Sequence, residues 1–113
     1  MKPAINFEAV DSMKTRDDFI PLFCRKVIRL LEEFEEEYTK GLRHSDTDKL
    51  SDITHKISST MKLLKLDDFY EFTRSYKNLD LENQDAKDKL LNEALTCIDK
   101  LKNDLRLKME KSS

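Results

Sequence analysis

Six side chains around one histidine are the part of this chain with types and spacing suited to chemistry. His55 falls in a segment, Ser45 to Leu66, whose apolar residues recur at helical spacing: Leu50, Ile53, Ile57, Met61 and Leu64. At about 100° per residue these form one stripe, with Thr54 and Thr60 at its margins. His55 lies roughly opposite, beside Ser51, Asp52, Ser59 and Lys62. A histidine packed in a core would lie on the apolar side. This one is expected to face water, on a rigid support, with small neighbours and a lysine two turns away.

Four kinds of chemistry can be weighed against that setting. The plainest is none, a polar residue on a surface that needs one. A zinc ligand would want partners one turn away, but positions 51 and 59 are serines. Acid–base catalysis would want an orienting carboxylate and a concave pocket; Asp52 is near, yet the outer face of a helical bundle is convex. The fourth is acceptance of a phosphoryl group. An imidazole titrates near pH ~6.5 in water, so the neutral, nucleophilic ring is accessible near neutrality. Phosphoryl transfer has a loose transition state and needs mainly positioning and charge stabilisation. A bare ring therefore suffices if a partner brings the rest. Ser58 and Ser59 leave room for an approach, and Lys62, with Lys56 to the flank, supplies positive charge.

The elements that would position this ring follow from composition and periodicity. A chain of 113 residues with one glycine, two prolines and 39% charged residues points to one domain built of long helices. The formal charge of −2 comes from 21 basic and 23 acidic residues, too balanced to indicate nucleic acid. No apolar run approaches the ~20 residues that span a bilayer, and no signal peptide is evident. The expectation is a cytoplasmic protein with no membrane or nucleic-acid partner. Cys24 and Cys97 read as reduced, largely buried thiols rather than a disulfide framework. No CxxC, HExxH or His/Cys cluster suggests a metal site.

Residues 1–14 carry Phe7, Val10 and Met13 and suit a short helix laid on the body. Asp17 and Asp18 offer caps for a helix with Pro21 in its first turn and a stripe from Phe19 and Ile20 to Phe34 and Tyr38. Lys40-Gly41 is expected to stop it, with the glycine in the left-handed conformation. After a connection at 41–45, Ser45 and Asp48 form a capping-box-like start to a helix running to about Lys65. A turn at Leu66-Asp67-Asp68 leads to a third long helix through Phe69, Phe72, Tyr76 and Leu79. The last helix starts around Asn83–Asp85 and uses Leu90, Leu91, Ala94, Leu95, Ile98, Leu101 and Leu105, with 110–113 frayed. The expectation is all-α: an antiparallel up-down-up-down four-helix bundle with the N-terminal segment packed against it. His44, in a loop, carries no assigned role, and Glu32-Glu33 with Glu35-Glu36-Glu37 reads as a solvated face.

Asp46-x-x-x-Leu50-x-x-x-Thr54-His55-Lys56-Ile57 resembles the motif of the histidine-containing phosphotransfer (HPt) domain, roughly D-x-x-x-L-x-x-x-A-H-x-L-K-G. The resemblance extends from about Asp17 to Leu101 but is concentrated in about twenty residues around His55. It departs from the family at three places: Ser58 stands for a lysine, Ser59 for a glycine, and Lys65 for the glycine ending the helix. The resemblance implies a phosphorelay intermediate, with His55 accepting at Nε2 from a receiver-domain aspartate and passing the group to another. The partners implied are receiver domains of a hybrid sensor kinase or response regulator, with Mg2+ on the receiver and no cofactor on this chain. Docking is expected on helices 18–40 and 46–65. A chain with a single glycine has no glycine-rich phosphate loop, so ATP-dependent kinase activity is not expected. Lys62, Lys56, Ser58, Ser59, Ser51 and Asp52 are the residues expected to face phosphate or partner. A monomer is expected, and the initial Met1 favours a stand-alone protein. Two alternatives remain: a degenerate HPt-like adaptor without transfer, and a dimer formed by the last helix through Leu101, Leu105 and Met109.

Overall fold

The computed structural model describes residues 1–13 and 16–112. Lys14, at the end of the expected N-terminal segment, and Ser113 of the expected frayed tail lie outside the described residues. Among the described residues every regular element is helical: α1 (Glu8–Ser12), α2 (Phe19–Arg43), α3 (Thr47–Leu63), α4 (Asp67–Thr73) and α5 (Gln84–Lys111), with a 3-10 turn at Arg74–Asn78. The molecule measures 49 × 20 × 20 Å. Its long dimension matches α5, which at 28 residues is about 42 Å long. No described helix is long and apolar enough to cross a membrane.

The stripes read from the sequence supply the core. Ile20, Cys24, Val27, Leu31, Phe34, Tyr38 and Leu42 of α2 pack with Leu50, Ile53, Ile57 and Met61 of α3. From α5 come Leu90, Leu91, Ala94, Cys97, Ile98, Leu101 and Leu105. Both cysteines are free and buried. Leu101 and Leu105 are fully buried within the single chain and Met109 is half-buried. The face imagined for pairing two copies of the last helix is thus used within one chain.

α2 and α3 run antiparallel, since Lys49 pairs with Glu37 and Lys56, seven residues later, pairs with the earlier Glu33. Their connection differs from expectation. α2 does not stop at Gly41 but runs through it to Arg43, and Gly41 is not in the left-handed region. The left-handed residue is Ser45, φ 52°. Asp46 N–H donates to the Gly41 carbonyl and Ser45 N–H to that of Leu42, a complete Schellman turn. Gly41 serves helix approach instead: a Cβ there would lie 2.7 Å from Cγ and Cδ2 of Leu50. The cap of α3 shifts by one residue as well. Asp46, not Ser45, accepts the Lys49 N–H, while Ser45 Oγ donates to the Leu81 carbonyl and accepts from Lys87 Nζ.

α3 ends at Leu63 in a second Schellman turn, with Lys65 left-handed at φ 55° and Leu66 N–H donating to the Met61 carbonyl. A third long helix does not form. α4 has seven residues and then tightens into the 3-10 turn. Where it tightens, the Thr73 carbonyl accepts from the buried Tyr38 hydroxyl at 2.8 Å. Thr73 and Ser75 hydroxyls also bond back to the Tyr70 and Phe72 carbonyls, a local competition that weakens helix continuation. Asp67 and Asp68 sit in the first turn of α4 rather than at its cap, which is Leu66. They still favour the helix through its dipole.

The N-terminal helix is shorter than the 1–14 segment suggested. Val10 is buried and Phe7 half-buried, but Met13 faces solvent. Residues before Glu8 lie along the body without helix: Asn6 N–H donates to the Leu64 carbonyl and Lys100 Nζ to that of Pro3. At the other end Asn83 caps α5 by accepting the Ala86 N–H, and α5 continues past Glu110 to Lys111.

Candidate functional site

His55 is exposed, about two and a half turns inside α3. The stripe behind it is buried: Leu50 and Ile57 are at 0% exposure and Met61 at 1%. Thr54, the adjacent residue, is also buried and returns its hydroxyl to the Leu50 and Ser51 carbonyls. The backbone that carries the imidazole is therefore held by core packing on one side while the ring stands in solvent.

The other expected site residues separate into committed and free groups. Lys56 is exposed but engaged, its Nζ 2.6 Å from Glu33 Oε1 across the α2–α3 interface. Ser58 is half-buried and its hydroxyl donates to the His55 carbonyl at 2.8 Å, so it turns back on its own helix. Ser51, Asp52, Ser59 and Lys62 are exposed. Lys62 makes no ion pair with any described residue. Seven residues beyond His55, it returns to within about 20° of the same side of the helix. Lys56, the next residue in sequence, projects to a different side. His44 is an exposed C-cap residue of α2, away from this face.

Beside the histidine, the seam between α2 and α3 opens into a groove of about 460 Å³. Carboxylates of Glu33, Glu37, Asp46, Asp48 and Asp52 line it, with Lys49, Lys56 and Ile53. The reading of the glutamate run as merely solvated needs correcting here. Glu33 and Glu37 tie α2 to α3, and Glu35 ties α2 to α5 through Lys102. The Lys49 hydrogen bond holds the Glu37 carboxyl below its ordinary pKa, and the same bond raises that of Lys49. A signal for this existed in the sequence: Glu33 and Glu37 are one turn apart on α2, and Lys49 and Lys56 are two turns apart on α3. Among the described residues no group of three His, Cys, Asp or Glu side chains gathers in a metal-holding arrangement.

Compared with family models, curated proteins and solved structures, the chain matches none. The functional reading therefore rests on the residues around His55 and their geometry.

Proposed function

We propose that this chain is a phosphorelay intermediate of the HPt type. His55 takes a phosphoryl group from an aspartate of one receiver domain and passes it to an aspartate of another. The observation that carries the proposal is an exposed imidazole in mid-helix, directly backed by a closed core, with an unpaired lysine on its own side. In the forward step the Nε2 lone pair attacks the phosphorus of the aspartyl phosphate. The N–P bond forms as the P–O bond to aspartate breaks, and the carboxylate leaves with the bonding pair. The ring becomes a phosphoimidazolium that keeps its Nδ1 proton, and the same step in reverse charges the second receiver. Mg2+ on the receiver supplies most of the charge neutralisation. This chain contributes a fixed ring and the Lys62 ammonium, and no ATP site of its own.

In this reading α2, α3, the α4–3-10 unit and α5 form the antiparallel up-down-up-down bundle that the family uses. The protein would act as a cytoplasmic monomer, docking receivers on the α2–α3 face through small, transient contacts. A second reading, an HPt-like adaptor that binds receivers without transfer, draws on a particular observation. Two groups flanking His55 are already engaged, Lys56 by Glu33 and the Ser58 hydroxyl by the His55 carbonyl.

Phosphoryl exchange distinguishes the two. The chain is mixed with a panel of receiver domains charged on aspartate, and acid-labile, alkali-stable phosphate is followed. Label that appears on this chain and is lost with His55→Gln is the expected result. Binding without label from any receiver would establish the adaptor instead.

A further inference from the structure

The charges on the α2–α3 face are sorted by sign along the molecule, and His55 lies where the sign changes. From the N-cap of α3 to the turn that closes it, Asp46, Asp48 and Asp52 precede the histidine, and Lys56, Lys62 and Lys65 follow it. Lys49 is the exception on the acidic side, and it is taken up by Glu37. The antiparallel register set by the Glu37–Lys49 and Glu33–Lys56 pairs gives α2 the same order in space. Glu37 faces the acidic half of α3 through Lys49, Glu33 stands at the change of sign opposite Lys56, and Lys26 and Arg29, earlier in α2, lie toward the basic end. Beyond the acidic band Lys40 is held by Glu36 and Glu37. Lys26, Arg29, Lys62 and Lys65 are all exposed, and none is ion-paired with a described residue. Positive charge at that end is therefore available to a partner. At the other end, five carboxylates share the groove with two lysines, each already paired.

We infer that this face is a two-signed docking surface that fixes the orientation of a protein partner. The partner sets its anionic phosphoryl site over the Lys62–Arg29 end and a lysine- or arginine-bearing segment into the acidic groove. The inference rests on the phosphorelay reading and adds to it a polarity for the encounter. The aspartates that line the groove run from Asp52 to Asp46, about one to two and a half helical turns from His55, or roughly 5–14 Å along the axis. The partner's basic segment must sit at about that distance from its phosphoryl group. Complementary fields of this kind steer encounter and set register more than they add affinity.

Two charge reversals outside the immediate surroundings of His55 test this: Asp48→Lys at the acidic end and Lys26→Glu at the basic end. Each is first checked for unchanged helicity. The dissociation constant for a Mg2+-loaded receiver domain that exchanges phosphate with this chain is then measured by titration at ~50 mM salt. A two-signed surface predicts that each reversal weakens binding, by about 3–10-fold, and that the double variant is weaker still. Attraction governed by net charge predicts effects of opposite sign and a double variant close to the parent. Opposite signs, or no change with either variant, would overturn the inference while leaving phosphotransfer intact. Absence of binding and exchange with every receiver in the panel would overturn the phosphorelay reading and this inference together.

Discussion

An imidazole held in solvent by a helix whose other side is fully packed is separable from stability. His55→Gln is expected to abolish exchange while shifting the melting temperature by no more than about 4 °C, since exposed substitutions seldom exceed ~0.5 kcal/mol. A large loss of stability would make His55 structural. Lys62→Ala is expected to slow transfer by about fivefold or less, the scale of one exposed charge contact. An unchanged exchange rate would remove Lys62 from the phosphate's surroundings. The exposure of His55 was legible because residues at 100° intervals fall on or off an apolar stripe without reference to any other element. The engagement of Lys56 and Ser58 was not. One depends on which glutamate of α2 comes opposite, the other on a hydroxyl choosing its own helix backbone over solvent.

The helices were legible in number and in their apolar faces, less so in their ends. Gly41 looked like a stop because glycine suits the left-handed position, yet Ser45 and Lys65 take that conformation and Gly41 does not. Left-handed backbone costs an L-residue on the order of 1 kcal/mol. Lys65→Gly should therefore raise unfolding free energy by up to about 1 kcal/mol, measured by urea titration; a decrease would mean the Lys65 side chain contributes more than its backbone costs. Gly41→Ala should do the opposite despite better helix propensity. Leu50 is fully buried and its Cγ and Cδ2 stand 2.7 Å from the added methyl, so overpacking of about 1–3 kcal/mol is expected. A stabilised Gly41→Ala protein would show that α3 moves aside freely. The shortness of α4 was hidden because Phe69, Phe72, Tyr76 and Leu79 keep a helical rhythm through the 3-10 turn, which begins where the Tyr38 hydroxyl, 35 residues away, bonds the Thr73 carbonyl.

The burial of Tyr38 also gives the molecule a pH dependence. Burial pushes its phenol above the ordinary value of 10.0, with Tyr76 adding to the shift. A group with a raised folded-state pKa stabilises fully below its unfolded pKa and loses that contribution as pH rises through the folded one. Stability should thus fall above pH ~10, with a limiting slope of about 1.4 kcal/mol per pH unit from this residue. Tyr38→Phe should remove that slope and, at neutral pH, cost about 1 kcal/mol for the hydrogen bond to Thr73. Urea unfolding between pH 8 and 11 measures both; an alkaline slope unchanged in Tyr38→Phe would assign it to other groups. Lys87 shows a related tertiary effect. It occupies the buried stripe of α5 because its ammonium reaches Ser45 Oγ at the α2–α3 turn.

By itself the sequence determined that the chain is helical, which faces are apolar, and that His55 stands opposite one of them. These follow from local periodicity and composition, and neighbours along one helix suffice to express them. Only tertiary structure decided where the turns close, that Gly41 admits Leu50, that Tyr38 bonds the end of α4, and that Glu33 and Glu37 bind α3. Each of these needs two segments distant in sequence to meet, and their register is set by packing across the core.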